Sequence, residues 1–294
     1  MAERDEKKVW SVLEMLRWTT EYFQGKGFHN ARLNAELLLA GSLGLKRLDL
    51  YLQYDRPLLP AEVAEFRSRL VRRARREPIQ YIEGEAAFRN LRLRVDRRVL
   101  IPRPETELLV DVVLEWARGR EGLRALDVGT GSGAIALSLA TEGSFGQVVA
   151  TDLSPEALEV ARGNRDLAAA DAPVEFRAGD VYDPVAGETF DVVVSNPPYV
   201  GEEERDSLDP EVREWEPARA LFAGMGGLEV IRRIVGGAPA VLRPGGLLAI
   251  EIGWQQADAV AALIREVDGF SEPTVRRDLA GRDRIVTAEF RTRE

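Results

Sequence analysis

The sequence contains no cysteine and a single histidine, His29, among its 294 residues. The lack of cysteine excludes a disulfide framework, thiolate metal sites and cysteine nucleophiles. With one histidine, histidine-based triads and multi-histidine metal sites are excluded as well. Carboxylate metal sites are only unfavoured, and we expect no bound metal.

The sequence also lacks long apolar segments and a basic net charge. No apolar run approaches the roughly 18 residues that a membrane-spanning helix needs, and residues 1–8 are charged, unlike a signal peptide. These features predict a cytoplasmic protein with no membrane partner. The net charge is −9, whereas proteins that grip duplex DNA through its phosphates are usually basic. We therefore expect no direct nucleic-acid substrate.

The first 80 residues show helical patterns and no strand pattern. Ser11 and Glu14 have the spacing of a capping box. Asn30 is a candidate N-cap for a second helix, which Gly41 and Gly44 would end, and Pro60 opens a further helix. Residues 1–80 are therefore predicted to form a small helical domain.

The spacing of apolar residues changes over residues 81–103. Apolar residues from Phe88 to Val99 are spaced as in strands, with a possible turn at Asp96 and Arg97. We predict a β-hairpin linker here, followed by a second domain over residues 104–294. Its first helix is expected to start at Glu105 or Thr106.

Short apolar runs alternate with helical segments from about Gly122 onward. The predicted strands are 125–128, 148–151, 174–177, 191–195, 247–252, 275–278 and 285–290. This βαβ rhythm predicts an α/β fold with a doubly wound, seven-stranded parallel sheet. The last two strands are separated by too few residues for a crossover helix, so the final strand should be antiparallel.

A glycine-rich loop follows the first strand of this sheet and opens a helix. Its residues are Gly129, Thr130, Gly131, Ser132 and Gly133. Glycines let the backbone approach a ligand closely, and a helix N-terminus offers free N–H groups. The loop could also be a simple tight turn, or bind a dinucleotide.

Carboxylates that follow the next two strands favour a different cofactor. Asp152 ends the second strand, where a carboxylate can bind ribose hydroxyls. Asp180 and Val181 follow the third strand, where an acidic side chain can accept from an adenine amino group. The Gly-x-Gly-x-Gly spacing is unlike that of pyrophosphate binders. Together these features favour S-adenosylmethionine, with S-adenosylhomocysteine as product, and Asn196 borders the same site.

The tetrapeptide Asn196-Pro197-Pro198-Tyr199 lies at the carboxyl end of the fourth strand, where open α/β sheets bind ligands. An amide nitrogen is a poor nucleophile because its lone pair is delocalised. The Asn196 side-chain oxygen and the Pro197 carbonyl could accept from both of its N–H bonds, and Tyr199 offers a flat face. The tetrapeptide therefore predicts methylation of a planar nitrogen, although a turn that only ends a strand is the alternative.

Several longer motifs resemble the release factor glutamine methyltransferases, the HemK-type family. They are Gln80-Tyr81-Ile82-x-Gly84, Phe88, Val99 to Glu107, Glu216-Pro217-x-x-Ala220-Leu221, Gly226-Gly227-Leu228, Leu242 to Gly246 and Glu251-Ile252-Gly253. The resemblance covers nearly the whole chain. One departure is Val181, where some relatives have tryptophan against the adenine ring.

The resemblance implies that S-adenosylmethionine methylates N5 of the glutamine in the Gly-Gly-Gln loop of class 1 peptide chain release factors. It also implies that Gly129 to Gly133 and Asp152 contact the cofactor, and that Asn196 to Tyr199 hold the glutamine. Three alternatives stay open: an adenine-N6 nucleic-acid methyltransferase, an N5-glutamine methyltransferase of a ribosomal protein, and a non-catalytic nucleotide-binding module.

Two further features have two interpretations each. Six arginines cluster near the end of the N-terminal domain: Arg67, Arg69, Arg72, Arg73, Arg75 and Arg76. They are either a solvated helix face or a docking surface for the release factor. Glu105 and Glu107 either orient the cofactor or the tetrapeptide, or stabilise a helix start.

Overall fold

The computed structural model describes residues 9–291. The charged segment 1–8, on which the expectation of no signal peptide rests, lies outside them. The chain forms two compact units, one up to Gly84 and the other from Glu85 onward.

The first unit is helical. Its helices are α1 (Val12–Gly25), α2 (Ala31–Leu43), α3 (Asp49–Leu52), α4 (Pro60–Ala74) and α5 (Ile79–Glu83). The capping box of Ser11 and Glu14 is confirmed. Gly44 ends α2 with a φ of 63°, as predicted, whereas Gly41, also expected to end it, lies inside the helix. Asn30 precedes α2, but its side chain does not cap the helix. Instead, its carbonyl oxygen accepts from Asn34 Nδ2 at 2.8 Å.

Most of the clustered arginines make contacts within the first unit. Arg69 bonds Glu65 and Glu83, Arg72 bonds Glu77 twice, Arg73 bonds Asn34, and Arg76 bonds the Lys26 carbonyl. Within the described part of the chain, Arg67 and Arg75 are exposed and form no ion pair. Four of the six side chains thus stabilise the helices, and two are available for other contacts.

The hairpin opens the second unit. Strands β1 (Glu85–Phe88) and β2 (Leu91–Arg94) pair antiparallel. A turn forms at the predicted Asp96 and Arg97, where Val99 N donates to the Asp96 carbonyl at 3.1 Å. The hairpin itself reverses earlier, at Arg89 and Asn90, and Arg89 has a φ of 50°. Arg89 donates to Glu107 from its backbone and to Glu142 from its guanidinium, at 3.0 and 2.9 Å. Asn90 is a local signal for this turn, and the two distant carboxylates hold Arg89 in it.

The remaining elements alternate as predicted. They are α6 (Pro104–Ala117), β3 (Leu123–Val128), α7 (Ala134–Glu142), β4 (Phe145–Asp152), α8 (Pro155–Ala168), β5 (Val174–Ala178), β6 (Phe190–Ser195), α9 (Pro210–Trp215), α10 (Glu229–Gly237), β7 (Leu242–Glu251), α11 (Ala257–Arg265), β8 (Thr274–Arg277) and β9 (Asp283–Phe290). Helix α6 begins at Pro104, one residue before the earlier of the two predicted starts. Proline suits this position because its fixed φ is helical and its missing N–H is not needed there.

The seven strands form one sheet in the order β5-β4-β3-β6-β7-β9-β8. Strand β9 runs antiparallel to both neighbours, whereas the pairs among β3 to β7 are parallel. The predicted fold class is therefore confirmed. Chain order reverses between β3 and β6, and open α/β sheets bind ligands at such a switch point, beyond the carboxyl ends of the strands.

The central strands are apolar because helices cover both faces of the sheet. Val192, Val193 and Val194 of β6 are fully buried, although consecutive residues face opposite sides. A rigid strand therefore ends at the tetrapeptide. Among the described residues, no helix combines the length and the apolar character that crossing a membrane requires.

Candidate active site

The glycine-rich loop leaves β3 and enters α7. Gly129 and Gly131 have φ values of 76° and 55°, and a Cβ at either position would meet no atom within 4 Å. Their backbone therefore borders open space, as a close-binding ligand requires. Gly133 differs, because its Cβ would lie 3.3 Å from Ala161. Its absent side chain lets α7 pack against α8.

Asp127, at the end of β3, fixes the conformation of the glycine-rich loop through hydrogen bonds. Its Oδ2 accepts from the Thr130 hydroxyl at 2.7 Å and from Ala136 N at 3.2 Å. The side chain is fully buried. Burial raises the pKa of Asp127 to about 7, against the lowering effect of these two hydrogen bonds. The carboxyl thus fixes the loop and the first turn of α7 together.

Asp152 ends β4 beside the same loop. Its Oδ2 accepts from Gly131 N and its Oδ1 from Ser154 N, both at 2.8 Å. Burial raises the pKa of Asp152 above its ordinary value. A carboxylate has about four acceptor positions, so two remain after these contacts. The carboxyl is positioned rigidly and can still accept from ribose hydroxyls.

Asp180 and Val181 follow β5. The Asp180 carboxylate pairs with Arg233 of α10 at 2.6 Å, a contact that the sequence interpretation did not include. Val181 has a φ of 46°. That conformation is unfavourable for a β-branched residue and costs on the order of 1–3 kcal/mol. Backbone strain is therefore located at a predicted ligand-binding residue.

One cleft at the carboxyl edge of the sheet collects most of the predicted residues. Its lining includes Gly129, Thr130, Gly131, Ser132, Asp152, Asp180, Val181, Asn196 and Pro198. Gly133, Pro197 and Tyr199 are adjacent to the cleft in sequence but do not line it. The switch point therefore brings the glycine loop, two carboxylates and the tetrapeptide to one opening.

The tetrapeptide is held by three parts of the second unit. Asn196 Nδ2 donates to Thr106 Oγ1 of α6 at 3.0 Å. The Tyr199 hydroxyl donates to Glu251 Oε1 at 3.4 Å, and the Tyr199 carbonyl accepts from Gln256 Nε2 at 2.8 Å. Among the described residues, neither Asn196 Oδ1 nor the Pro197 carbonyl accepts a hydrogen bond. Both predicted acceptors therefore keep their lone pairs, and Asn196 is the one of the two that lines the cleft.

Gly227 lies against the tetrapeptide backbone. A Cβ at this position would be 2.0 Å from the Tyr199 carbonyl oxygen, and the φ of Gly227 is 68°. Gln256 Nε2 also donates to the Gly226 carbonyl at 3.0 Å. The sequence motif Gly226-Gly227-Leu228 drew attention to this loop, but only the structure shows that it packs on Tyr199.

Glu251 was not assigned a role from the sequence. It is 1 % exposed at the end of β7, and burial raises its pKa to about 7. The available signal was a carboxylate that ends an apolar strand and is the first residue of the Glu251-Ile252-Gly253 motif. Nothing local in the sequence connects it to the tetrapeptide more than fifty positions earlier.

The linker motif and the Glu216 motif meet in the structure. The buried Glu216 carboxylate accepts from Ile101 N at 3.1 Å and pairs with Arg103. Burial raises the pKa of Glu216, and the Arg103 charge lowers it in part. This ion pair fixes the segment that leads into α6, and with it the position of Thr106.

Glu105 and Glu107 have different surroundings in the structure. Glu107 accepts from Arg89 N, so its side chain holds the hairpin turn. Glu105 acts on the tetrapeptide region, where its charge raises the pKa of both Glu251 and Tyr199. Orientation of the tetrapeptide is therefore a possibility for Glu105 only.

Comparison with known proteins identifies the family. Residues 14–84 match the model of the PrmC N-terminal domain, and residues 104–210 match that of the methyltransferase small domain. The release factor glutamine methyltransferase of Geobacter sulfurreducens is 41% identical over 97% of this chain and 98% of its own length. That of Chlorobaculum tepidum is 43% identical over 95% of this chain and 97% of its own. The chain belongs to the release factor glutamine methyltransferase family.

Family membership makes the chain a methyltransferase that uses S-adenosylmethionine. A solved methyltransferase structure from Pyrococcus furiosus is 21% identical and covers 69% of this chain and 90% of its own, with a TM-score of 0.52. At that identity the likeness concerns the fold alone. It agrees with the α/β fold described above.

Proposed function

We propose that this chain methylates N5 of the glutamine in the Gly-Gly-Gln loop of class 1 peptide chain release factors. The observation that carries the proposal is a pair of acceptors with no partner among the described residues: Asn196 Oδ1 at the switch-point cleft and the carbonyl of the neighbouring Pro197. A primary amide has two N–H bonds, and the pair can accept both. The names of the full-length relatives supply the acceptor protein.

The described residues fit S-adenosylmethionine. The open space beside Gly129 and Gly131 allows the cofactor to lie against the backbone of the glycine-rich loop. The acceptor positions that remain on the Asp152 carboxylate suit the hydroxyl groups of the cofactor's ribose. Asp180 and Val181 would border the adenine, and Thr130, Ser132 and Gly133 complete the loop. The reaction needs no metal ion, so we propose none.

The side chains of the site position the acceptor nitrogen. When bound, S-adenosylmethionine supplies an electrophilic methyl group, and the C–N bond forms as the C–S bond breaks. Asn196 Oδ1 and the Pro197 carbonyl orient the amide and are aimed at the positive charge that develops on its nitrogen. The Tyr199 ring offers an apolar surface for the planar amide, beside the rigid Pro198. The nitrogen becomes acidic only after transfer, so its proton can leave to water without a strong base.

An amino group of adenine presents two N–H bonds as well, so the tetrapeptide alone does not select glutamine. The net charge of −9 disfavours a nucleic-acid substrate. The full-length likeness to release factor methyltransferases favours the glutamine. A glutamine of a ribosomal protein would use the same chemistry and is distinguished by experiment.

The test is to incubate the protein with methyl-labelled S-adenosylmethionine and a purified class 1 release factor, and to locate the label by peptide mass. We expect one methyl group on the glutamine of the Gly-Gly-Gln peptide. A ribosomal-protein fraction and a DNA duplex serve as parallel acceptors. Label on either of those, with none on the release factor, would refute the proposed substrate.

We expect Asp152 to contribute more than Asp180 to the affinity for S-adenosylmethionine. We expect Asp152→Ala to weaken binding of S-adenosylmethionine roughly tenfold or more, since charge-assisted hydrogen bonds to the ribose are lost. Isothermal titration calorimetry measures this directly. Asp180→Ala is the comparison, because Asp180 already pairs with Arg233 and should contribute less. A larger loss for Asp180→Ala would contradict these assignments.

We propose that residues 1–80 form a docking domain for the release factor, that residues 81–103 link it to the catalytic domain, and that residues 104–294 bind the cofactor. The arginine cluster is the candidate docking surface. Its available members are Arg67 and Arg75, because the other four make contacts within the helical unit.

We expect the double variant Arg67→Glu/Arg75→Glu to lower kcat/KM on whole release factor roughly tenfold, because charges at the edge of an interface govern association. Turnover of a short Gly-Gly-Gln peptide and affinity for S-adenosylmethionine should not change. Rates are measured at low and high salt, since the difference in kcat/KM between the double variant and wild type should shrink when salt screens the charges. An equal loss on factor and peptide would contradict a docking role.

A further inference from the structure

The Asn196 side chain has a single protein partner in the part of the chain that the structure describes. Its Nδ2 donates to Thr106 Oγ1 at 3.0 Å, between residues 90 positions apart. Thr106 is 4 % exposed in the first turn of α6. The proposed function gives Asn196 Oδ1 a role toward substrate but leaves this contact unexplained.

The contact decides which end of the Asn196 amide faces the substrate. The two ends of a carboxamide have similar size and shape, so a half-turn about the Cβ–Cγ bond exchanges oxygen for NH₂. After that exchange, Nδ2 would meet the N–H bonds of the acceptor, donor against donor. The productive orientation therefore requires a partner that accepts from Nδ2 on the side away from the substrate.

A hydroxyl group can donate as well as accept, so Thr106 fixes the orientation only if its own proton is engaged elsewhere. Glu251 provides that acceptor. Its carboxyl is buried, its Oε1 accepts from Tyr199 at 3.4 Å, and its Oε2 has no hydrogen-bond partner among the described residues. Burial raises the pKa of Glu251, and the Thr106 hydroxyl lowers it in part, which places that hydroxyl beside the carboxyl. An ionised carboxylate only accepts, so the open Oε2 can take the Thr106 proton and leave a Thr106 lone pair for Asn196 Nδ2.

Two fixed charges act on the same carboxyl. Arg284 of β9 favours its ionised form, and Glu105 of α6 disfavours that form. Burial also disfavours it and raises the pKa of Glu251 to about 7. The Tyr199 hydroxyl donates to the same carboxyl, so Glu251 contacts the tetrapeptide through Tyr199.

We propose that Thr106, backed by the buried carboxyl of Glu251, is a positioning residue that holds the Asn196 amide with its oxygen toward the substrate. This inference rests on the proposed role of Asn196 as an acceptor. Thr106 does not touch the substrate. It excludes the flipped amide, and Glu251 directs the Thr106 proton away from Asn196.

The test compares Thr106→Val with Thr106→Ser. Valine keeps the shape and removes the hydroxyl, whereas serine keeps the hydroxyl and removes a methyl group. We expect Thr106→Val to lower kcat about 10- to 100-fold, since misorientation of a positioning group has effects of that order. KM for the acceptor and Kd for S-adenosylmethionine should change little. Thr106→Ser should retain most of the wild-type kcat.

Two outcomes would overturn the inference: full activity of Thr106→Val, or equal losses in both variants. Thermal melting of both proteins shows whether packing alone is disturbed, and a purely structural role would lower melting temperature and cofactor affinity together. The rates are measured on the acceptor that wild-type protein methylates. If that acceptor is not the release factor, the proposed substrate fails, and the Thr106 comparison is read on the acceptor found.

A second readout concerns Glu251. The ionised carboxyl can only accept from Thr106, whereas the protonated carboxyl can also donate to it. Burial raises the pKa of Glu251 to about 7, so wild-type kcat should rise with pH through a midpoint near 7. Glu251→Gln should lower kcat and remove this step, because a neutral amide can donate to Thr106 at every pH. A wild-type kcat that stays flat between about pH 6 and pH 8 would overturn the part assigned to Glu251.

Discussion

Asn196→Ala should lower kcat for methylation of the release factor by about a hundredfold to a thousandfold. Removal of one preorganised hydrogen-bonding group at a reacting centre has an effect of that size. The Asn196 oxygen is available to the substrate, while its nitrogen is held by Thr106. Affinity for S-adenosylmethionine should stay within a few-fold of wild type, because the glycine loop and Asp152 are untouched. Single-turnover kinetics and calorimetry measure the two quantities separately.

Asn196→Asp provides a matched comparison for this variant. It keeps the shape and two oxygen acceptors but loses the donor to Thr106 and adds a charge. We expect it to retain more activity than Asn196→Ala only if acceptance from the substrate is the main role of the residue. Turnover of Asn196→Ala within about threefold of wild type, or a loss of cofactor affinity as large as the loss of kcat, would show that Asn196 is not the substrate acceptor.

Gly227→Ala should abolish most activity without touching the cofactor or the reacting atoms. Its Cβ would lie 2.0 Å from the Tyr199 carbonyl oxygen, so either the loop or the tetrapeptide must move. A displacement of about 1 Å at a reacting centre can cost on the order of a hundredfold in rate. We therefore expect kcat to fall about a hundredfold, with a measurable loss of thermal stability.

Gly226→Ala is the control for Gly227→Ala. Gly226 has a φ of 71°, close to the 68° of Gly227, but a Cβ there meets nothing within 4 Å. Both variants carry the same backbone penalty of roughly 1–2 kcal/mol, and only one clashes with Tyr199. Gly226→Ala should lose stability with kcat within about threefold of wild type. Equal kcat values for the two variants would mean that the Tyr199 contact does not position the tetrapeptide.

Much of the fold could be predicted because its signals are local. The apolar runs of β3 to β9, Pro60 and Pro104 at helix starts, and the capping box at Ser11 all act within a few residues. The turn of the hairpin was missed. It forms at Arg89 and Asn90, and asparagine is a common turn residue, so a local signal was present. The contacts that hold Arg89, from Glu107 and Glu142, come from distant positions that the sequence does not connect to it.

The arginine cluster shows the same limit. In the sequence its six members look equivalent. In the structure Arg69, Arg72, Arg73 and Arg76 each have a partner on the helical unit, which leaves Arg67 and Arg75 as the exposed pair. Charge reversal at Arg72 would break its two hydrogen bonds to Glu77 and confuse a test of docking.

The sequence by itself determined the class of fold, the position of the cofactor loop and the residues able to hold a planar nitrogen. These depend on strand periodicity, on glycine in the backbone and on the chemistry of Asn196 to Tyr199. The tertiary structure alone decided which side chains control that tetrapeptide. Thr106, Glu251 and Gln256 reach it from three different elements, and such contacts arise only where separate strands and helices end at one edge of the sheet.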